Sequence, residues 1–150
     1  MLVRPLRPED MNNVMILMNY YKDEMQIADD EWDEDAVVQS IKFFASNMQC
    51  TCLVAVEGYR IVGLLIGNVK KEFYNNKFSA AIQMFYLMPG YKHNEYYGQM
   101  YKEFVAWSQL NKAEKILMMD MSDNTDSLIN VKELLEFDTK MFKLFVKDGA

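Results

Sequence analysis

The amino-acid sequence predicts a single α/β domain spanning residues 1–150, in which helices pack on one central sheet. Strand-like segments and segments of helical period alternate in the order strand, two helices, three strands, helix, strand, helix, strand. The length suits one domain, and hydrophobic residues make up 51% of it, which is enough for an ordinary core. No repeat, linker or low-complexity segment divides the sequence, so we expect one folding unit.

A short strand and a helix are predicted at the start of the sequence. Residues 2–7 alternate apolar and polar side chains, and the prolines at positions 5 and 8 place this strand at an edge of the sheet. A helix then begins at residues 8–10, where proline suits the first turn and acids suit the positive end of the helix dipole. The apolar stripe expected to face the core consists of Val14, Leu17, Met18 and Tyr21.

A second helix is predicted over residues 34–47, after a cluster of acidic side chains. Six of the seven residues 29–35 are carboxylates, and Trp32 is the exception. These charges either attract a basic group, such as a lysine side chain or a polyamine, or form a solvated run that stabilises the start of the helix.

Three strands are predicted in the middle of the chain. Residues 50–56 and 60–70 are rich in Ile, Val and Leu and flank Glu57-Gly58, which indicates a hairpin. Residues 72–79 are polar and predict a turn. Residues 80–88 form a nearly continuous apolar run, which is typical of a central strand covered on both faces.

The last third of the chain predicts a helix, a strand, a helix and a strand. Pro89-Gly90 ends the preceding strand, and residues 94–111 carry apolar side chains along one helical face. A strand over 115–121, a helix over 126–137 and a final strand over 139–147 follow.

The composition disfavours two classes of partner. The formal net charge of −6 and the pI of about 4.8 make nucleic-acid binding a poor fit, whereas a basic partner or an amine substrate suits them. No apolar stretch of membrane-spanning length occurs, so we expect no membrane insertion. The first ten residues carry charges where a secretory signal has an apolar run. We therefore expect a cytoplasmic location, or association with a virion if the chain comes from a phage.

The two cysteines predict neither a disulfide nor a metal site. Cys50 and Cys52 are separated by one residue, so in a strand they point to the same face, about two strand rises apart. That geometry does not suit an ordinary disulfide, and a zinc site needs four ligands. We expect two reduced thiols and no bound metal.

Three segments of the chain form a recognisable set: the opening LVRPLRPEDMNNVMILMN, the hairpin CLVAVEGYRIVGLLIG and the block FYLMPGYKHNEYYGQMYKEFVAWSQLNKAEKILM. Together they resemble the GNAT superfamily of N-acetyltransferases. The resemblance implies a mixed, mostly antiparallel sheet flanked by helices. It also implies direct transfer of an acetyl group from acetyl-CoA to an amine, carried by a small molecule or by a protein lysine or N-terminus. A homodimer or a protein partner is compatible with the resemblance.

The same resemblance implies where the cofactor binds. The implied cofactor-binding residues are Leu87, Met88, Lys92, His93, Asn94, Tyr96, Tyr97, Gly98 and Asn124. The loop departs from the family pattern, because His93, Glu95 and Tyr97 occupy positions that the family gives to glycine. A carboxylate at Glu95, about 5 Å from one phosphate charge, would cost about 3 kcal/mol at an effective dielectric constant near 20 if it pointed inward. Tyr97 would obstruct close approach of the phosphates.

The catalytic residues of the family are also replaced. Lys132 stands where many members have a tyrosine that protonates the CoA thiolate, and Gln83 stands where many have a glutamate base; glutamine cannot accept a proton at neutral pH. The remaining candidates are Asp120, His93 and Tyr97. Each has a structural alternative: a turn-forming residue at a strand end for Asp120, an exposed loop residue for His93 and a core aromatic for Tyr97.

Two hypotheses of different classes follow from these residues. The first is an N-acetyltransferase that works by positioning and carbonyl polarisation, without a covalent enzyme intermediate. The second is a catalytically inactive scaffold or binding protein with the same fold, for example a phage virion or host-interaction protein. Binding of acetyl-CoA distinguishes the two.

Overall fold

The computed structural model describes residues 1–119 and 142–145. Within them, six strands form one sheet in the order β1-β2-β3-β4-β5-β6, and three α-helices flank it. The elements are β1 (Leu2–Pro5), α1 (Met11–Glu24), α2 (Glu34–Ser46), β2 (Cys50–Glu57), β3 (Arg60–Lys71), β4 (Phe78–Leu87), α3 (Asn94–Leu110), β5 (Ala113–Met119) and β6 (Phe142–Phe145). None of the helices in this part of the chain is both long and apolar enough to span a bilayer.

The sheet is mixed, as the sequence resemblance implied. Strands β1 to β4 pair antiparallel, whereas β4 pairs with β5, and β5 with β6, in parallel. The prediction that the first strand lies at an edge is confirmed, because β1 pairs only with β2 among the described strands. The parallel β4–β5 pair requires a crossover, which α3 provides.

The helices bury most of the stripes that the sequence predicted, although Tyr21 of α1 is only half-buried. In α1 the buried residues are Val14, Leu17 and Met18, and in α3 they are Tyr97, Gly98, Met100, Tyr101, Phe104 and Ser108. Helix α3 lies very close to the sheet over two glycines of β3. A Cβ atom added at Gly67 would lie 2.3 Å from Cε2 of Phe104, and one at Gly63 would lie 3.0 Å from Sδ of Met100. This close packing fixes the position of α3 on β3.

A partly buried ion pair holds the start of α1 against β1. Two guanidinium nitrogens of Arg4 donate to the two carboxylate oxygens of Asp10, at 2.6 and 2.9 Å, and the backbone N–H of Arg7 donates to Oδ2 of Asp10 at 2.7 Å. Asp10 is buried. The hydrogen bond from Arg4 is the main reason that the pKa of Asp10 lies below its usual range. Asp10 was predicted as part of a helix start, and here it closes that start against the neighbouring strand.

Three strand boundaries differ from the sequence prediction by two residues, and the first is the end of β1 at Pro5 instead of residue 7. Strand β4 begins at Phe78, two residues earlier than predicted, because Phe78 and Ser79 pair with Lys71 and Lys70 of β3. Strand β5 begins at Ala113 instead of residue 115, because Ala113 is buried and pairs with Phe78. The predicted helix over 126–137 lies outside the described residues, and of the predicted last strand only Phe142–Phe145 is described.

Candidate functional site

The candidate site lies where β4 and β5 separate. Their pairing runs from Phe78–Ala113 to Ile82–Met118. Strand β4 then continues to Leu87, and residues 83–87 have no strand partner on the β5 side within the described parts of the chain. Since alternate backbone groups of a strand point to each side, this edge of β4 presents N–H and C=O groups that have no strand partner among the described residues. It can bind an extended ligand that carries amide groups.

A β-bulge at Gln83 marks the point of separation. In the β3–β4 register, Ile66 pairs with Met84 and Gly67 with Ile82, so Gln83 is the extra residue. A bulge bends a strand and redirects a side chain. The Gln83 side chain is exposed and donates to Oδ1 of Asn68 at 2.8 Å. The position that often carries a glutamate base in the resembling family is therefore held here by a neutral amide.

The loop between β4 and α3 exposes backbone N–H groups at the mouth of this cleft. Met88 O accepts from the N–H of Tyr91 at 2.9 Å, with Pro89 and Gly90 between them and a φ of +91° at Gly90, which is a type II turn. The N–H of Met88 donates to Val62 O at 2.7 Å and anchors the turn to β3.

Among the residues that the structure describes, three N–H groups of the loop have no acceptor and can donate to a ligand. They belong to Lys92, Asn94 and Glu95. They sit at the N-terminus of α3, where the helix dipole favours an anion.

The residues that replace the family glycines take three different positions. His93 is exposed, precedes α3 in an extended conformation and lies 5.5 Å from the ring of Tyr96. Glu95 is exposed in the first helical turn, where its charge suits the positive end of the dipole. Tyr97 is buried, with its ring centroid 5.2 Å from that of Phe85 on β4. Tyr97 thus belongs to the buried face of α3.

Neighbouring residues of β4 face opposite sides of the sheet and so define the two sides of the cleft. Phe85 contacts Tyr97 of α3. Tyr86 contacts Tyr21 of α1, at 5.3 Å between ring centroids and nearly perpendicular. The loop and α3 therefore border the cleft on one face, and α1 borders it on the other.

An ion pair bridges these two faces. Nζ of Lys92 lies 2.6 Å from Oε1 of Glu24, the last residue of α1, and 5.2 Å from the centre of the Tyr86 ring. The Tyr86 hydroxyl is buried and lies next to the Glu24 carboxylate. Burial first, and then the negative charge of Glu24, raise the pKa of this phenol, so it stays protonated at neutral pH.

Sequence reasoning missed Glu24. Its partner Lys92 is 68 residues away, so no local motif joins them. One sequence signal was present. A carboxylate at the C-terminal end of a predicted helix meets the negative end of the helix dipole, and a nearby cation would stabilise it.

The acidic cluster lies near the end of α1. Lys22 pairs with Asp29, and this hydrogen bond lowers the pKa of Asp29. Asp33 accepts from the N–H of Ala36 at 3.1 Å and so caps α2, as expected of part of the cluster. The other carboxylates of residues 29–35 are exposed. They give this end of the molecule a negative surface.

The cysteine thiols do not have the properties of nucleophiles. Both are free, and Cys52 is buried. Burial raises the pKa of Cys52 to about 12 and also raises that of Cys50. Nucleophilic cysteines need a lowered pKa. Among the described residues, no group of three His, Cys, Asp or Glu side chains is placed to hold a metal ion.

Three predicted site positions lie outside the described residues. They are Asp120, Asn124 and the block 131–137 that contains Lys132. Of the predicted cofactor-binding residues within the described range, the structure brings Leu87, Met88, Lys92, His93, Asn94, Tyr96, Tyr97 and Gly98 to the end of β4 and the start of α3.

Comparison with known proteins identifies the fold. No protein-family model and no curated protein matches the sequence. The aminoglycoside 6'-N-acetyltransferase AAC(6')-IG of Acinetobacter haemolyticus has a similar structure, with a TM-score of 0.71 and 12% identity over 100% of this chain and 99% of that one. An aminoglycoside acetyltransferase from an uncultured soil metagenomic sample, solved with sisomicin, has a TM-score of 0.72 and 11% identity over 99% and 95% of the two chains.

A GNAT family acetyltransferase of Staphylococcus aureus has a TM-score of 0.67 and 14% identity over 82% of this chain and 87% of that one. Structural similarity at identities this low establishes the fold alone. The activity has to be argued from the site. The chain has the GNAT fold, as its sequence segments predicted.

Proposed function

We propose that this protein is an N-acetyltransferase that transfers an acetyl group from acetyl-CoA directly to an amine. The observation that carries the proposal is the cleft between β4 and β5, which opens at the Gln83 bulge and ends at a loop with three available N–H groups. The amide-bearing arm of CoA matches the unpaired edge of β4, and its diphosphate matches the loop.

The residues present fit this cofactor. The N–H groups of Lys92, Asn94 and Glu95 supply hydrogen-bond donors, and the ammonium group of Lys92 supplies a positive charge. The carboxylate of Glu95 is exposed and free to turn toward solvent, so the penalty of about 3 kcal/mol for an inward-pointing charge need not apply. The fit supports a cofactor role for a loop with few glycines.

Acetyl-CoA would supply a thioester: the neutral amine forms a C–N bond to the acetyl carbon, the C–S bond breaks, and the CoA sulfur leaves as a thiolate. The proton that the nitrogen loses is matched by the one that converts this thiolate to the free thiol of CoA. The protein would contribute chiefly by positioning the two reactants. Tyr86, which stays protonated, can donate a hydrogen bond on the α1 side of the cleft. Gln83 cannot take up the proton of the amine, so the fraction of deprotonated amine would limit the rate near neutral pH.

The acidic end of the molecule favours an acceptor with more than one positive charge. Residues 29–35 and Glu24 lie on the α1 side of the cleft, and charge of this sign raises the local concentration of cations. The similar structures include aminoglycoside acetyltransferases. Polyamines and aminoglycosides are therefore the first acceptors to test, followed by lysine-containing peptides.

Calorimetric titration with acetyl-CoA tests the proposal, followed by mass spectrometry of an amine panel incubated with protein and acetyl-CoA. We expect saturable one-to-one binding and an acetylated amine that does not form without protein. Ligand at about 100 times its Kd should also raise the free energy of unfolding by about 2.7 kcal/mol. No heat of binding and no stabilisation at millimolar acetyl-CoA would overturn the cofactor assignment and leave a protein that uses this fold only as a scaffold.

A further inference from the structure

We propose that Lys92 changes partners when the cofactor binds, leaving the carboxylate of Glu24 for the diphosphate, and that the released carboxylate then binds the ammonium group of the acceptor. This inference rests on the proposed function, and it assigns Glu24 as an acceptor-binding residue. Loading of the cofactor would thereby prepare the acceptor side of the cleft.

The position of Lys92 is the first argument. Its backbone N–H belongs to the set of loop donors that have no described acceptor, whereas its side chain reaches over the Tyr86 ring to α1. Lys92 is thus a loop residue whose backbone N–H lies on the α3 side of β4, while its side chain lies on the α1 side. A diphosphate at the loop would carry about two negative charges within reach of a flexible four-carbon side chain, and it would compete with the single carboxylate of Glu24.

The position of Glu24 is the second argument. It is the last residue of α1, so its charge meets the negative end of the helix dipole. Lys92 is the one cation within salt-bridge distance of it among the described residues. If Lys92 moves away, the carboxylate remains at an unfavourable place and gains from another cation. An ammonium group that enters from the α1 side is the cation that the proposed reaction brings there.

The exposure of the pair is the third argument. The Lys92 and Glu24 side chains retain 27% and 36% of their accessible surface. An ion pair of this kind contributes little and can be exchanged without unfolding its surroundings. It can therefore act as a replaceable partner, in contrast to the more deeply buried Arg4–Asp10 pair.

The test is a double-mutant cycle for coenzyme A affinity, measured by calorimetry. Glu24→Gln removes the competitor for Lys92, so it should tighten coenzyme A binding by about fivefold, as expected for loss of a partly exposed ion pair. In a Lys92→Gln background, Glu24→Gln should have no effect. Asp23→Asn is the matched control. Asp23 is exposed, forms no salt bridge with another described residue and also lies close enough to Tyr86 to act on its pKa.

Spermidine titrations test the second half of the inference. Saturating coenzyme A should strengthen spermidine binding to the wild type, because it releases the Glu24 carboxylate. Glu24→Gln should abolish that strengthening, because the variant has no carboxylate to release. Coupling between two ligands is reciprocal, so spermidine should strengthen coenzyme A binding by the same factor. Spermidine binding that is absent or independent of coenzyme A in the wild type would overturn the role of Glu24 in acceptor binding.

The outcomes separate this inference from the proposed function. A wild type that does not bind coenzyme A contradicts the proposed function. Wild-type binding that Glu24→Gln leaves unchanged, or that Asp23→Asn tightens equally, contradicts the exchange alone. Thermal melting of each variant confirms that it is folded before its affinity is interpreted.

Discussion

Replacement of Asp10 by alanine should destabilise the protein by about 3 kcal/mol. The side chain accepts three hydrogen bonds, two from the Arg4 guanidinium and one from the backbone N–H of Arg7. Hydrogen bonds to a charged group contribute roughly 1.5–3 kcal/mol each. Their sum is not additive because they share one carboxylate, and the Arg4 side chain, 16% exposed, recovers some hydration when its partner is removed. For a chain of this length the loss corresponds to a fall in Tm of roughly 6–12 °C.

The effect of Asp10 should depend on pH. Its pKa in the folded protein lies below the unfolded value of about 3.9. The stabilisation is therefore fully present above that unfolded value and is lost as the pH falls through the lower, folded pKa. The difference in stability between wild type and Asp10→Ala should be complete at pH 7 and much smaller at pH 2.5.

Urea titrations at the two pH values, followed by circular dichroism, measure both effects. Asp10→Asn should lie between wild type and Asp10→Ala, because the amide oxygen can still accept from Arg7. Glu9→Gln is a control in the same turn, since Glu9 is exposed and should change stability by less than about 0.5 kcal/mol. A loss below 1 kcal/mol for Asp10→Ala, or an equal loss at both pH values, would show that the ionised Asp10 side chain does not stabilise the fold.

Three further predictions concern the bulge, the glycine under α3 and the thiols. Gln83→Glu should raise kcat/KM at pH 7 by about tenfold or more, because it supplies a proton acceptor, whereas Gln83→Ala should not. Equal rates for both variants would show that the side chain at position 83 takes no part in the reaction. Gly67→Ala should lower the free energy of unfolding by about 3 kcal/mol, because its Cβ would lie 2.3 Å from Phe104, and an unchanged urea midpoint would contradict this packing. Cys52 should resist a thiol reagent at pH 8 in the native protein and react on unfolding, and rapid native labelling, resolved by peptide mapping, would contradict its burial.

Much of the fold follows from local patterns in the sequence. The stripe Val14, Leu17 and Met18 faces the core because helical period places these residues on one side of α1. Strands β4 and β5 begin two residues earlier than the sequence predicted, because their starts depend on pairing between distant segments. Ser79 and Ala113 carry little strand signal of their own, and they become strand residues through contacts with β3 and β4.

The site was predicted only in part. Pro89-Gly90 correctly marked the end of β4, and the same pair carries the signature of the type II turn that orients the loop. The bulge at Gln83 could not be predicted, because it depends on the register of β4 against β3. The Glu24–Lys92 pair could not be predicted either, since two elements distant in sequence bring it together.

A titration of isotope-labelled protein with coenzyme A, followed by amide NMR, locates the cofactor on the protein. We expect the largest shifts at the N–H groups of Lys92, Asn94 and Glu95, with smaller shifts along residues 83–87. Shifts confined to the hollow lined by residues 71–76, at the opposite end of β4, would show that the cofactor does not bind at the cleft. An absence of any shift at millimolar coenzyme A would contradict cofactor binding equally.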